Sequence, residues 1–433
     1  MSRRFLQALA IVALAALIPG GALHAETQTQ SSLTVLAAPL FQQLAALKGM
    51  ASPGPPPPVL IKNREETRRF IEQELDRRYS PARVEVERKG MVAWGLIPPD
   101  YDLRRFFLDL MEEQVAAYYD PRTKVMVVGD WLPPEQQQAA LMHELVHALQ
   151  DRQVSLDAFI APLPGQGDQL LARQALIEGE AVALTLELLL KAQGTDFASL
   201  PDMSALRSII AAGTVGPAVD SAPKFLRDLL LFPYVEGVSF LHALRKRQSW
   251  SAMAGLYRDP PRSSAQIRHP GKRLGARQDP VAIVLPDLQA LVTAQRVAAE
   301  DELGEFALGA VLGLHLGEAA GRSAAAGWRG DHFRVWEDPT GRFPIVYLLA
   351  MESERAANAI ALTYTGVLER RHPAVAGKGV PGATGATVAW RDGDRAFAVE
   401  KRGAEVLILE QMPAATAGQV RETVWRSRPV AKP

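Results

Sequence analysis

Apolar residues recur along the first two thirds of the chain at intervals of three and four, the period of a helix with one buried face, and alternate in parts of the last third, as in strands. Asn63 followed by Glu66 marks a helix start, because the asparagine can cap the first turn and the glutamate can reach back. Phe70, Ile71 and Leu75 supply the buried face of that helix. Val84 and Val86 alternate with glutamates and predict a half-buried strand, with Met91 to Ile97 as its neighbour. Leu103, Phe106, Phe107 and Leu110 return to helical spacing. AAYYD and KVMVVG, on either side of Asp120 and Pro121, predict a β-hairpin. Pro133 and Pro134 close it and open the next helix, where proline is tolerated. Met142, Leu145, Val146 and Leu149 predict that one side of this helix is buried. After a loop rich in proline and glycine, Asp168 is placed to cap a second helix with Leu170, Ile177, Ala181, Leu184 and Leu188 on its apolar stripe, which Gly194 ends. Phe225 to Arg247 is helical again.

The character changes near residue 276. Gly304 to Leu316 predicts a long helix, and Trp328 to Asp331 a turn packed by an aromatic. Strand patterns follow at Phe333 to Trp336, Ile345 to Met351, Arg395 to Val399 and Val406 to Leu409, with a helix from Glu354 to Arg370 between them. The fold class this implies is α+β: a mainly helical domain over 61–275 with a small antiparallel sheet, then a smaller α+β domain over 276–433.

The start of the chain changes the picture. Arg3 and Arg4 precede a short apolar run from Phe5 to Ile18, helix breakers follow, and Ala25 offers a small residue for cleavage. That is the layout of a secretory signal peptide over 1–25, too short for a membrane anchor, so export to the periplasm or beyond is expected, with no stable span after cleavage. Residues 26–60 are expected to be a tether: a short apolar helix from Leu33 to Leu47, then the proline-rich SPGPPPP from Ser52 to Pro58.

With 433 residues, 48% of them hydrophobic, the chain can bury two cores. Lysine plus arginine equals aspartate plus glutamate at 48 each, so no net field points to nucleic acid as a partner. The absence of cysteine excludes disulfides, thiol catalysis and a lipid-modified cysteine.

The chemistry concentrates in HELVH. His143 and His147, four apart on a helix, stack about 6 Å apart between Cβ atoms and can converge on one ion, for which imidazole nitrogens suit Zn2+. Glu144, one step around the helix, can reach a metal-bound water and take its proton as it attacks a carbonyl. A catalytic zinc takes a third protein ligand and keeps one position open. The later helix carries two candidates, Glu178 and Glu180, in ALIEGEA. About 200° apart on a helix, they cannot both face the metal, and the apolar stripe alone does not choose between them.

Here the sequence resembles the gluzincins, HExxH zinc metallopeptidases whose third ligand is a glutamate on a later helix, over roughly residues 112 to 190. Glu178, Gly179 and Ala181 match the glutamate–glycine–any–alanine pattern of the aminopeptidase branch, and Asp151 stands where thermolysin-like members have an aspartate. The resemblance implies Glu178 as the third ligand, with Gly179 admitting a close backbone neighbour. It also implies a substrate-pairing edge strand, for which KVMVVG is the counterpart, and a hydroxyl beside the developing oxyanion, for which Tyr234 is the candidate. Val182 replaces the aspartate that orients a ligand histidine in thermolysin-like members, and the aminopeptidases' exopeptidase signature is missing. His242 and His269 are expected to be structural. Together with the leader, the expectation is an exported bacterial gluzincin-like metallopeptidase that hydrolyses peptide bonds in a peptide or protein substrate. The alternative is a non-catalytic exported binding or scaffold protein with a structural zinc site, in which four protein donors fill the metal's positions.

Overall fold

A computed structural model describes residues 30–428, apart from positions 79, 116, 162, 164, 215, 293–295 and 382–386. The leader expected over 1–25 lies outside the described residues.

The stretch expected to be a tether does not behave as one. Helix α1 (Gln30–Lys48) buries Leu33, Ala37, Leu40, Phe41 and Leu44 completely or nearly so, and continues through Pro39. Those positions form a helical stripe, and burying an aliphatic or aromatic side chain is worth about 1.5–3 kcal/mol. β1 (Val59–Lys62) follows the proline-rich segment and enters a sheet. Helix α2 (Arg64–Arg78) opens on the expected capping box: Asn63 Oδ1 accepts from Glu66 N at 2.9 Å, and Glu66 Oε2 accepts from Asn63 N at 3.0 Å.

The strand predicted around Val84 lies in a helix, α3 (Pro81–Ala93), and of its predicted neighbour, Met91 to Ile97, the first three residues finish that helix and the rest form the turn after it. Val84, Glu87 and Met91 are buried at helical spacing while Val86 faces out, so the helical period hidden beneath the alternating valines and glutamates decides. Helix α4 (Leu103–Gln114) is capped by Asp102, whose side chain accepts from Arg105 N. β2 (Ala117–Asp120) and β3 (Val125–Gly129) form the predicted antiparallel hairpin. β1 lies parallel to β3, so the order is β1-β3-β2 and β3 is the central strand. KVMVVG is therefore no sheet edge; β2 is.

Helix α5 (Pro134–Gln153) starts on proline as predicted and carries HELVH. It is buried on all sides from Ala139 to Gln150, more than a one-sided stripe implies. Gln137 Nε2 donates to Gly129 O and fixes its start to the end of β3. Helix α6 (Gly167–Lys191) carries ALIEGEA. Asp168 does not cap it; its carboxylate accepts from Ser264 N at 2.9 Å, a partner 96 positions away that no local pattern shows. Helix α7 (Lys224–Arg245) packs along α6.

The second half is built on a seven-stranded antiparallel sheet, order β4-β5-β6-β10-β9-β8-β7. Its strands are β4 (Arg296–Asp301), β5 (Trp328–Glu337), β6 (Ile345–Met351), β7 (Val380–Pro381), β8 (Thr387–Asp392), β9 (Arg395–Arg402) and β10 (Glu405–Pro413). The predicted strand cores fall inside β5, β6, β9 and β10, and the predicted helices are α8 (Gly304–Leu316) and α9 (Glu354–Arg371). Trp328 to Asp331 is the start of β5 and not a turn. There the register shifts between Trp328 and Gly330, and buried Asp331 accepts from Tyr347 OH. The architecture is the α+β arrangement expected. One apolar cluster runs from α1 through α5, α6 and α7 to β5, β6 and α9, and a second lies under the sheet's other face, around Trp336, Leu348 and Leu407. Among the described residues, no helix is long and apolar enough to cross a membrane.

Candidate metal centre

Two helices meet at the centre, and glycine lets a third lie against them. A Cβ at Gly179 of α6 would stand 2.3 Å from the carbonyl carbon of Gly237 in α7, and one at Gly237 would stand 2.1 Å from Ala175 O. The backbones therefore touch where neither residue has a side chain, as expected for Gly179. This crossing brings Tyr234, less than one turn before Gly237, to the same region as Glu178.

His143 and His147 project from α5 with ring centroids 4.7 Å apart, and their Nε2 atoms are 3.1 Å apart. Glu178 Oε2 lies 3.2 Å from His143 Nε2 and 3.6 Å from His147 Nε2. Three donors around a tetrahedral zinc, with bonds of about 2.0–2.1 Å, stand roughly 3.3 Å from one another. The separations and the mix of two imidazoles with one carboxylate fit that ion. All three side chains are buried.

Glu144 is equally buried, and the ligand-type atoms of His143, Glu144 and His147 lie within 4.8 Å of one another. Two carboxylates thus border one pair of imidazoles, but they are held differently. Glu178 contacts both rings, whereas Glu144 Oε2 accepts from the backbone N–H of Tyr119, on edge strand β2, at 2.7 Å. Burial raises the pKa of Glu144 from its ordinary value, against the pull of the two histidines. For His147 burial acts downward, but the Glu178 carboxylate outweighs it and lifts the pKa to about 9 in the metal-free protein. Burial likewise pushes Glu178 up, and the two histidines more than reverse it.

Residues 100–199 match the IrrE N-terminal-like domain of the M78 peptidases. This part of the chain is metallopeptidase-like. Residues 293–421 match a domain of unknown function, DUF8575. No curated protein and no solved structure matches the chain. The metallopeptidase-like segment contains α5 and α6 and hence all of His143, Glu144, His147 and Glu178, but not Tyr234.

Of the residues singled out in the sequence, Tyr234 is fully buried, with its ring centroid 6.5 Å from that of His143. Glu180 points away from the centre, as two positions on a helix require, and accepts from Lys48 Nζ, Gln150 Nε2 and Tyr257 OH. Asp151 touches neither histidine; it accepts from Tyr119 OH, Lys124 Nζ and Leu156 N, fastening α5 to the hairpin. His242 bonds to Leu200 O and His269 to Glu305, both away from the centre, in structural roles. Sequence reasoning missed Tyr119 and Gln150. Gln150 stands one turn after His147 on the same helix, and its amide oxygen meets His147 Nδ1 at 2.8 Å. That spacing was a readable signal; the Tyr119 amide was not, because a backbone donor leaves no mark in the sequence.

Proposed function

We propose that the chain is an exported zinc peptidase in which His143, His147 and Glu178 hold the metal, Glu144 moves the proton and Tyr234 stabilises the oxyanion. The observation that carries this reading is the mutual separation of the three donor atoms, 3.1–3.6 Å, with a second carboxylate, Glu144, beside them. Zinc, when bound, supplies a Lewis acid that polarises the scissile carbonyl and makes water a nucleophile at neutral pH.

The chain's own residues supply the rest. Glu144 is anchored by the Tyr119 amide, so its carboxylate is aimed before substrate arrives. Burial makes it a stronger base than an exposed glutamate. It takes a proton from the attacking water as the new C–O bond forms, then passes it to the leaving nitrogen as the C–N bond breaks. The Tyr234 hydroxyl donates to the oxygen that gains charge between those steps. β2 is the sheet edge next to Glu144, so an extended substrate pairs there and not on β3. The basic, apolar and small-residue order of the first 25 residues supports export to the periplasm or beyond.

A second reading draws on the burial of His143, Glu144 and His147. In an exported scaffold with structural zinc, Glu144 becomes the fourth ligand and no position stays open. Zinc analysis of purified protein, combined with cleavage of a broad peptide library, tests the first reading. Stoichiometric zinc with chelator-sensitive cleavage is expected; stoichiometric zinc with no cleaved peptide favours the scaffold.

A further inference from the structure

The buried polar chain behind His147 has a direction, and its chemistry fixes it. Gln150 Nε2 lies 3.0 Å from Ile177 O and 2.9 Å from Glu180 Oε2, two groups that only accept. The amide therefore has one orientation, with nitrogen toward Ile177 and Glu180 and Oε1 toward His147 Nδ1. An amide oxygen only accepts, so Nδ1 of His147 carries a hydrogen, and Nε2, which faces His143 and Glu178, is the nitrogen left to give its lone pair to a metal. Glu180 is in turn held by the ammonium of Lys48 at 2.6 Å and by the Tyr257 hydroxyl. Gln150, Glu180, Lys48 and Tyr257 are all buried. Lys48 is the last residue of α1, 132 positions from Glu180 in the chain.

We infer that Gln150, Glu180 and Lys48 are positioning residues that fix the tautomer and orientation of His147, so that helix α1 is a working part of the metal centre. This rests on the reading of His147 as a zinc ligand. The arrangement differs from the thermolysin-like pattern: position 182 is valine, Asp151 serves the hairpin, and support for a histidine comes from an amide backed by an ion pair between two other helices, α1 and α6. Glu180 is one of the two acceptors that hold the Gln150 amide, and losing Lys48 leaves it a buried carboxylate without its cation.

The test begins with the full chain loaded with zinc and labelled with 15N-histidine. His147 should show a hydrogen on Nδ1 and none on Nε2; a hydrogen on Nε2 overturns the inference. Gln150→Leu should then weaken zinc binding, measured by chelator competition, ten- to a hundredfold, as loss of a ligand's supporting hydrogen bond commonly does. Lys48→Met should weaken it in the same direction, and both should shift the visible absorption bands of the cobalt-substituted protein. Variants that lose thermal stability yet keep wild-type zinc affinity and cobalt spectrum would reduce the chain to helix packing and overturn the proposal. Wild-type protein that binds no zinc would instead remove the metal-site reading beneath it. If a variant does not fold, the wild-type tautomer still decides.

Discussion

Gly179→Ala isolates the crossing that brings Glu178 and Tyr234 together. By helix propensity alone the substitution stabilises α6 by about 1 kcal/mol. The added Cβ would, however, lie 2.3, 2.6 and 2.7 Å from the carbonyl carbon, oxygen and Cα of Gly237. Carbon atoms rest about 3.5–4.0 Å apart, so α6 and α7 must part by about 1 Å or more. Both contacting groups are main chain, which has no rotamer to yield, so the overpacking cost falls at the upper end of about 1–3 kcal/mol. The expected net effect is a destabilisation of about 1–2 kcal/mol. It is read as a lower urea midpoint at constant slope. Because Glu178 precedes Gly179, zinc affinity should fall as well, whereas an overpacked helix pair remote from the metal would change stability only. A variant as stable as wild type or more so, with unchanged zinc binding, would refute the reasoning, since propensity would then outweigh contact.

Further outcomes follow from the same geometry. Glu178→Ala should abolish tight zinc binding in a chelator-competition assay, because it removes the carboxylate that meets both imidazoles; retained occupancy would reassign the third ligand. In the metal-free protein, His147 is raised from 6.5 to about 9, so its contribution to stability is complete below pH 6.5 and disappears as pH rises through about 9. Glu178 is lowered from 4.5, so its contribution is present above that pH and disappears as pH falls through its depressed value. Zinc uptake at pH 7 should therefore release protons, measurable by calorimetry in buffers of different ionisation enthalpy. N-terminal sequencing of exported protein should begin near Glu26, and an intact Met1 on membrane-embedded protein would contradict export.

Local signals carried much of the fold. The Asn63–Glu66 capping box, the hairpin, the proline-opened α5 and the helix over Gly304–Leu316 all depend on neighbours within a few positions, which the sequence displays. The errors lie where a distant partner decides. Val84 and Val86 satisfy period two in the sequence, but burial selects Val84, Glu87 and Met91 at helical period. The apolar helix of α1 was legible; its docking was not, because the proline run beside it marks a spacer and Lys48 finds its partner only across 132 positions. Asp168 has the chemistry of a cap and serves Ser264 instead. β3 reads as an edge until β1 pairs with it from the other side. At the centre, His143, Glu144 and His147 are adjacent on one helix and needed only the helical repeat. Glu178 was chosen over Glu180 through resemblance, and the structure gives the physical complement: Glu178 faces the imidazoles and Glu180 faces Lys48.

The most direct test compares Glu144→Gln with His143→Ala for both bound zinc and peptide cleavage. The amide keeps the size of the side chain but cannot take a proton, so Glu144→Gln should retain stoichiometric zinc and lose cleavage, while His143→Ala should lose both. Equal cleavage by wild type and Glu144→Gln, or loss of zinc in Glu144→Gln, would contradict a proton-moving Glu144 at an open zinc site.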